Sequence, residues 1–226
     1  MAARHTEVLA DLGQRIVDGE YQPGDSFTLA WISEEYNVSR TVAREVMQQL
    51  GALGLISSSP RVGLVVRSSS HWQVFDPRLI RWRLEGRNRP KQLKSLFDLR
   101  LAVEPSAARL AATEATDAHK RDLRRLADTM VEAAAAPNMR EFMEADTQFH
   151  SLILRASANE MFSALAPAVD VNLRWRTELQ GKDGQEITEH TQAHVDVVDA
   201  IEAGDPDKAY DAMLEILGSV SAALNV

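Results

Sequence analysis

Asn37-Val38-Ser39-Arg40-Thr41-Val42-Ala43-Arg44-Glu45-Val46-Met47-Gln48-Gln49-Leu50 puts a helix cap, an apolar stripe and a cationic stripe in register. Ser39 is a good N-cap residue, because its hydroxyl can accept from a free backbone N–H of the first turn. Val42, Ala43, Val46, Met47 and Leu50 then recur at helical spacing, so that face packs inward. Arg40, Arg44 and Gln48 fall at i, i+4 and i+8 on the opposite face. Two guanidinium groups and an amide projecting together are the chemistry that reads phosphates and the edges of guanine or adenine. Capped amphipathic helices with surface arginines are common, however, so the segment alone does not separate a reading face from a merely solvated one.

The setting narrows the choice. Upstream, Val8, Leu9, Leu12, Ile16 and Val17 make a first amphipathic helix, ended by the turn cluster Gly19-Glu20-Tyr21-Gln22-Pro23-Gly24-Asp25. A second helix over roughly 29–36 leads into Asn37 and the cap, which is the order of a helix-turn-helix. After Leu50, two β-prone runs at 55–58 and 64–67 flank Pro60-Arg61-Val62-Gly63, a candidate wing with Arg61 at its tip.

Together these residues resemble the winged helix of the GntR family of bacterial transcription regulators. The resemblance covers 16–67 and rests on Ile16-Val17-Asp18-Gly19-Glu20-Tyr21-Gln22-Pro23-Gly24, Val38-Ser39-Arg40-Thr41, Arg44-Glu45, Leu50 with Gly54-Leu55-Ile56, and Gly63 with Val66. It implies a DNA-binding unit whose contacts fall on Ser39, Arg40, Thr41, Arg44, Gln48, Arg61 and Gly63. Leu29-Ala30 stands where the family usually has Glu-Arg, and Val42 where it often has Pro, so one expected phosphate contact is missing.

The whole chain has 226 residues, enough for this small unit and a second domain of more than a hundred residues. The absence of cysteine rules out a disulfide framework, a thiolate metal site and thiol catalysis, and suits a reducing cytoplasm. No apolar run reaches the ~18–20 residues of a membrane span, and the N-terminus lacks the apolar core of a signal peptide, so a soluble cytoplasmic protein is expected. The formal charge of −8 argues against generic affinity for nucleic acid. Residues 1–70 themselves hold six basic and eight acidic side chains, but four of the six arginines, Arg40, Arg44, Arg61 and Arg67, fall on the reading helix and wing. Placement rather than bulk charge predicts salt-sensitive, site-specific binding to double-stranded operator DNA.

Three stretches follow from the sequence: a winged helix-turn-helix over 1–70, a linker and hinge helix over 71–90, and an all-helical domain over 91–226. Ser68-Ser69-Ser70-His71 reads as the linker, and Asp76-Pro77 can start a short helix carrying Ile80 and Leu84 on one side and Arg78, Arg81 and Arg83 around the others. Trp72 and Trp82 are expected to pack this segment onto the second domain, with the arginines in reach of DNA backbone. From Lys91 onward, breaks at 115–117, 136–138, 157–159, 181–184 and 203–206 parse the chain into about six helices. The fold class is therefore mainly α, an N-terminal winged helix plus a C-terminal antiparallel α-helical bundle.

Within the bundle, polar residues sit on stripes that should be apolar. Arg100 and Glu104 share a stripe with Leu93, Phe97, Ala107, Ala108 and Ala111; Asp146 and His150 lie with Phe142, Phe149, Ile153 and Ala156; His190 and His194 align with Val197 and Ile201. Inward charges must be paired, hydrogen-bonded or ligated. A closed network, with Arg100 on Glu104 and each His on a carboxylate, satisfies the requirement; so does a cavity that holds a polar ligand.

Arg100…Glu104-Pro105…Ala111-Ala112, Asp146…Phe149-His150 and Glu189…His194…Ala200-Ile201…Gly204-Asp205…Ala209 are similar to the FCD effector domain of FadR-type GntR regulators, from about Leu93 to the C-terminus. The resemblance implies that 91–226 is an effector-binding and dimerisation domain, with a homodimer, a small-molecule carboxylate effector and, often, a divalent metal on an Asp and three His. Asp146, His150 and His194 match that set, whereas Ile216 stands at the last His position, with His190 as a substitute one turn before His194. A zinc, nickel or manganese ion on three side chains is one reading. In the other, effector binds directly, Arg100 clamping its carboxylate while Glu104, Asp146, His150 and His194 take hydroxyls. The missing fourth His, with Trp72 and the segment 76–82, makes the chain resemble the branch that represses galactonate operons, which implies a sugar-acid effector and a repressor relieved by it.

Two rival classes remain at this level. Two imidazoles and a carboxylate on a metal can activate water in a hydrolase with an appended winged helix, but no general base stands out beyond Glu104. The N-terminal unit can also be a protein-interaction module. No Gly-rich phosphate loop, serine-nucleophile motif or kinase set is present, and the regulator reading, not an enzyme, is preferred.

Overall fold

Side chains 8, 9, 12, 16 and 17 wind onto one buried face of α1 (Ala2–Val17) in the computed structural model of the chain, which describes residues 2–59, 62–136, 138–180 and 191–224. Thr28 caps α2 (Leu29–Glu35) by accepting from Trp31 N, and Asn37, at φ 48°, turns the chain into α3 (Arg40–Ala52). Ser39 caps α3 as its sequence predicts, accepting from Val42 N at 3.3 Å. The wing is β2 (Ile56–Ser59) and β3 (Gly63–Val66), each displaced by one residue at its ends from the expected runs. They pair antiparallel with Ile56 opposite Val66 and Ser59 opposite Gly63, which turns Ile56, Leu64 and Val66 into the core. A third strand, β1 (Ser26–Phe27), lies on the far side of β3, giving the order β1-β3-β2. Two residues are too short a run to show alternation, so no sequence pattern announced it.

The chain divides into two compact units, Met1–Pro90 and Lys91–Val226. The expected packing of the linker segment onto the second domain is thereby corrected, because residues 71–90 fold with the first unit. Gly54, at φ 75°, brings its Cα against the His71 carbonyl; Trp72 Nε1 donates to Arg67 O at 3.2 Å and Gln73 N to Leu53 O at 2.9 Å. Asp76 caps α4 (Pro77–Glu85), whose Leu79 and Trp82 join the core formed by α1, α3 and the sheet. The Trp82 ring lies over Gly13, the one glycine inside α1. Gln14 Nε2 donates to Trp82 O at 2.9 Å, and Asp18 accepts from Arg87 N at 2.8 Å, so α4 is held along its length.

Among the described residues every element of the second unit is a helix, the first of them entering from the end of the first unit: α5 (Arg89–Glu114), α6 (Asp117–Ala135), α7 (Met139–Ala156), the single turn α8 (Glu160–Ser163), α9 (Ala166–Gln180), α10 (Thr191–Ala203) and α11 (Pro206–Leu224). The breaks at 115–117, 136–138 and 157–159 are caps, with Thr116, Asn138 and Asn159 accepting from the first turns of α6, α7 and α8. Asn159 starts the extra turn α8, which the parse into six helices left out. The predicted break at 181–184 lies outside the described residues. Helix α7 packs on both α6 and α9, and α10 on α6 and α11, so α7 runs through the middle of the core and nearly every residue of its second half is buried.

A Cβ placed on Gly13 would meet three carbons of the Trp82 ring at 2.5–2.9 Å. On helix propensity alone Gly13→Ala should stabilise by about 1 kcal/mol. The overpacked ring is expected to outweigh this, with a net loss of about 1–2 kcal/mol in urea unfolding and a changed Trp emission. A stabilised variant would show that α4 yields to the added methyl.

Candidate DNA-reading face and buried histidine–carboxylate site

On α3, Val42, Ala43, Val46 and Leu50 are buried while Arg40, Thr41, Arg44, Glu45 and Gln48 are exposed, as is the capping Ser39. Among the described residues no carboxylate pairs with Arg40 or Arg44. The helix is steadied from both sides through Gln49, which accepts from Arg78 Nη1 of α4 at 2.8 Å and lies 3.3 Å from His5 Nε2 of α1. His5 and Arg78 are thus placed beside the reading face, and nothing in their local sequence marks them, because the contacts span 44 and 29 residues. Gly63 starts β3 at φ 100°, hard against the Phe27 carbonyl, so its lack of a side chain serves the close approach of β1 to β3. Arg61 lies outside the described residues.

The second site is built on three helices. Arg100 and Glu104 come from α5, Asp146 and His150 from α7, and His194 from α10; all five are buried, Glu104 completely. The i, i+4 spacing lets Arg100 Nε donate to Glu104 Oε1 at 2.6 Å and Arg100 Nη2 to Oε2 at 3.3 Å, the pairing weighed for them from sequence. Glu104 Oε2 is also 2.7 Å from His150 Nδ1, although the ring N–H is not well aligned with it. On the other edge of the ring, His150 Nε2 lies 3.3 Å from Asp146 Oδ1, and His194 Nε2 lies 3.1 Å from the same oxygen. Phe149 packs edge-on against both imidazoles. The chain of contacts therefore runs Arg100, Glu104, His150, Asp146, His194. His190 lies outside the described residues, and Ile216 is buried in the apolar core of α11.

Electrostatics in this site are set by competition between burial and neighbours. Burial alone would raise the Glu104 carboxyl, but the Arg100 guanidinium and His150 beside it bring it down to about 2. Burial likewise opposes ionisation of Asp146, and His150 and His194 hold it well below the usual carboxylate range. His150 is penalised by burial and by Arg100, yet the Glu104 and Asp146 carboxylates raise it above its ordinary value.

The donor set fits a metal. One atom each of Asp146, His150 and His194 lie within 4.8 Å of one another. Ligand atoms around an ion at about 2.0–2.2 Å stand about 3.0–3.5 Å apart, depending on whether the array is octahedral or tetrahedral. The 3.1 and 3.3 Å separations from Asp146 Oδ1 are of that size. One carboxylate and two imidazoles suit zinc, nickel or manganese. Asn172 of α9 is a further buried polar side chain whose Oδ1 has no partner among the described residues. Its place at i+4 from Ala168 and i−3 from Trp175, on a buried stripe, is the signal by which the sequence marks it.

A carboxyl depressed on folding contributes stability that is complete above its unfolded value and vanishes as pH falls through its folded one. With chelator present, Glu104 should therefore make the second unit lose stability between pH about 4.5 and about 2. Urea midpoints across that window should fall more steeply for the wild type than for Glu104→Gln, and parallel curves would count against an ionised Glu104.

Family models match both units: "Bacterial regulatory proteins, gntR family" over residues 4–66 and "FCD domain" over 95–219. The chain is 31% identical to the galactonate operon transcriptional repressor of Escherichia coli K12 over 94% of its own length and 93% of that protein's. It is 32% identical to the uncharacterised HTH-type transcriptional regulator YieP of the same organism, over 94% and 92%. A solved Streptococcus agalactiae GntR shares the fold at TM-score 0.56, with 23% identity over 97% of this chain and 99% of that one. These proteins are regulators and not enzymes, which sets aside the hydrolase reading. The winged helix is the operator-binding part of such proteins and the FCD domain, in which metal binding is known, their effector-binding part. The chain belongs to the GntR family of bacterial transcription regulators, in its FadR-type group with a C-terminal FCD domain.

Proposed function

We infer that this regulator is a repressor relieved by its ligand: a homodimer that grips a two-fold pseudo-palindromic operator and releases it when a small hydroxylated carboxylate, an aldonic or uronic acid, enters the second unit. The observation that carries the reading is the buried cluster of Arg100, Glu104, Asp146, His150 and His194 in an otherwise apolar core. So much polarity is costly to bury and is repaid by a ligand that uses it. The name of the Escherichia coli relative, a galactonate operon repressor, supports both the sugar-acid class and the sign of control.

A divalent ion, zinc, nickel or manganese, would be held by Asp146, His150 and His194 and would supply a Lewis-acidic positive centre. Arg100 and Glu104 cancel, so the two charges of the ion face the single charge of Asp146 among the described groups. The surplus of one positive charge is matched by a monocarboxylate, whose hydroxyls would meet the imidazoles and carboxylates around it. At the other end, Arg40, Arg44 and Gln48 would read base edges in the major groove while Ser39 and Thr41 take phosphate, with Arg61 and Gly63 on the wing. One short helix covers few base pairs, so paired half-sites multiply specificity, which is why a dimer is required. Release then needs the ligand to bind more tightly to a dimer arrangement that no longer matches the operator spacing.

Two measurements test this. Arg44→Ala should lose operator affinity by about 1–3 kcal/mol per bidentate contact at matched salt, with an unchanged melting temperature; unchanged affinity would remove Arg44 from the reading face. A thermal-shift screen of aldonic and uronic acids should find a stabilising member that also abolishes the gel shift on the gene's own promoter, and should lose that effect with a chelator. No stabilisation by any of them would sink the ligand class, whereas stabilisation that survives complete metal removal would keep the ligand and retire the metal.

A further inference from the structure

Among the described residues, Glu104 and Arg100 connect to Asp146 and His194 through His150. Glu104 has no solvent exposure and Arg100 2%, and the guanidinium spends its Nε and Nη2 on the Glu104 carboxylate at 2.6 and 3.3 Å. The remaining reach of that carboxylate is to His150 Nδ1, at 2.7 Å, on the edge of the ring turned away from Asp146 and His194. We propose that Glu104, backed by Arg100, is a positioning residue for the metal site: it fixes the His150 ring so that Nε2 faces the position shared with Asp146 and His194. This rests on the metal-binding part of the function inferred above.

An imidazole can flip about its Cβ–Cγ bond, which exchanges nitrogen for carbon at the position facing the ion. A carboxylate beside Nδ1 favours one of the two orientations and the tautomer with the proton on Nδ1, leaving the Nε2 lone pair for the ion. Arg100 has a separate task. Without it, Glu104 would be an isolated buried anion; with it, the pair adds no net charge, so the ring is oriented while, among the described groups, Asp146 supplies the charge facing the ion. A purely structural account has less to say about the pair, since apolar residues of similar volume replace buried ion pairs with little or no loss. The geometry also separates the two carboxylates: Asp146 Oδ1 is close to Nε2 of both histidines, whereas Glu104 is on the far side of one.

The full-length protein, stripped with chelator, is titrated with zinc(II) and cobalt(II) against a chromophoric competitor. Glu104→Gln is expected to weaken metal binding by about 10–100-fold and to alter the visible cobalt spectrum. Because that change strands the Arg100 charge, the double variant Arg100→Met with Glu104→Gln removes both charges together and should show the same loss with wild-type circular dichroism. Glu104→Asp, which keeps the charge but withdraws it by one methylene, should fall between and serves if the other two do not fold. A folded double variant with wild-type Kd and cobalt spectrum overturns the proposal, as does an unchanged Kd in Glu104→Asp. A wild-type protein that binds neither ion removes the metal from the inferred function and this proposal with it, an outcome distinct from wild-type binding that the variants leave untouched.

Discussion

A carboxylate with no contact to water has to be surrounded by donors, and Glu104 sets the terms for everything around it. It takes Arg100 from its own helix at i−4, which costs nothing in chain topology, and His150 from α7, which does. That second contact fixes the register of α7 against α5. With His150 placed, Asp146 one turn earlier on α7 meets its Nε2, and His194 on α10 closes on the same oxygen. Three helices are thus keyed to one another by five polar side chains, and the apolar core of Phe142, Phe149, Ile153, Val197 and Ile201 fills in around them. Hydrophobic burial supplies the larger part of the driving force, but it is non-directional. The polar chain is what makes one sliding position of α7 better than its neighbours, since a shift of one residue would part Glu104 from His150 and Asp146 from His194.

That same interlock explains the sequence's legibility. The helix-turn-helix was readable because its determinants are local: Ser39 caps the helix that carries Val42, Val46 and Leu50, and Gly54 and Gly63 mark close backbone approaches. The inward placement of Arg100, Glu104, Asp146, His150 and His194 was readable for the same reason, since helical period alone assigns a face. Which of those groups touch one another was not. Arg100 could be drawn as a ligand clamp or as a partner of Glu104 with equal justice from its spacing, and the structure turns its Nε onto Glu104. Nor did periodicity say which unit would receive Trp82. Its destination depends on Gly13, 69 positions earlier, where a missing side chain leaves room for an indole. A glycine in mid-helix is a visible anomaly, yet the identity of what fills the notch is a tertiary fact. The two-residue strand β1 is the extreme case, since its partners on β3 lie 39 and 37 residues away and supply all the pairing.

The first unit resolves a conflict between composition and role in a similar way. Its eleven arginines barely outnumber its ten carboxylates and the whole chain is negative, so at long range charge gives it little attraction to a polyanion. What it offers at short range is one exposed helix face with Arg40 and Arg44 four residues apart and no described carboxylate paired to either. Elsewhere in this unit some arginines are occupied: Arg15 with Glu20 and Glu35, Arg78 with Asp76. A guanidinium already bridged to a carboxylate has little to gain from a phosphate, whereas a free one exchanges only water and counterions for the DNA. Pairing several arginines while leaving Arg40 and Arg44 without a carboxylate among the described residues concentrates cationic charge on one exposed helix face. Carboxylates spread over the rest of the unit disfavour a polyanion docked there, so placement rather than net charge is what such a surface offers for specificity.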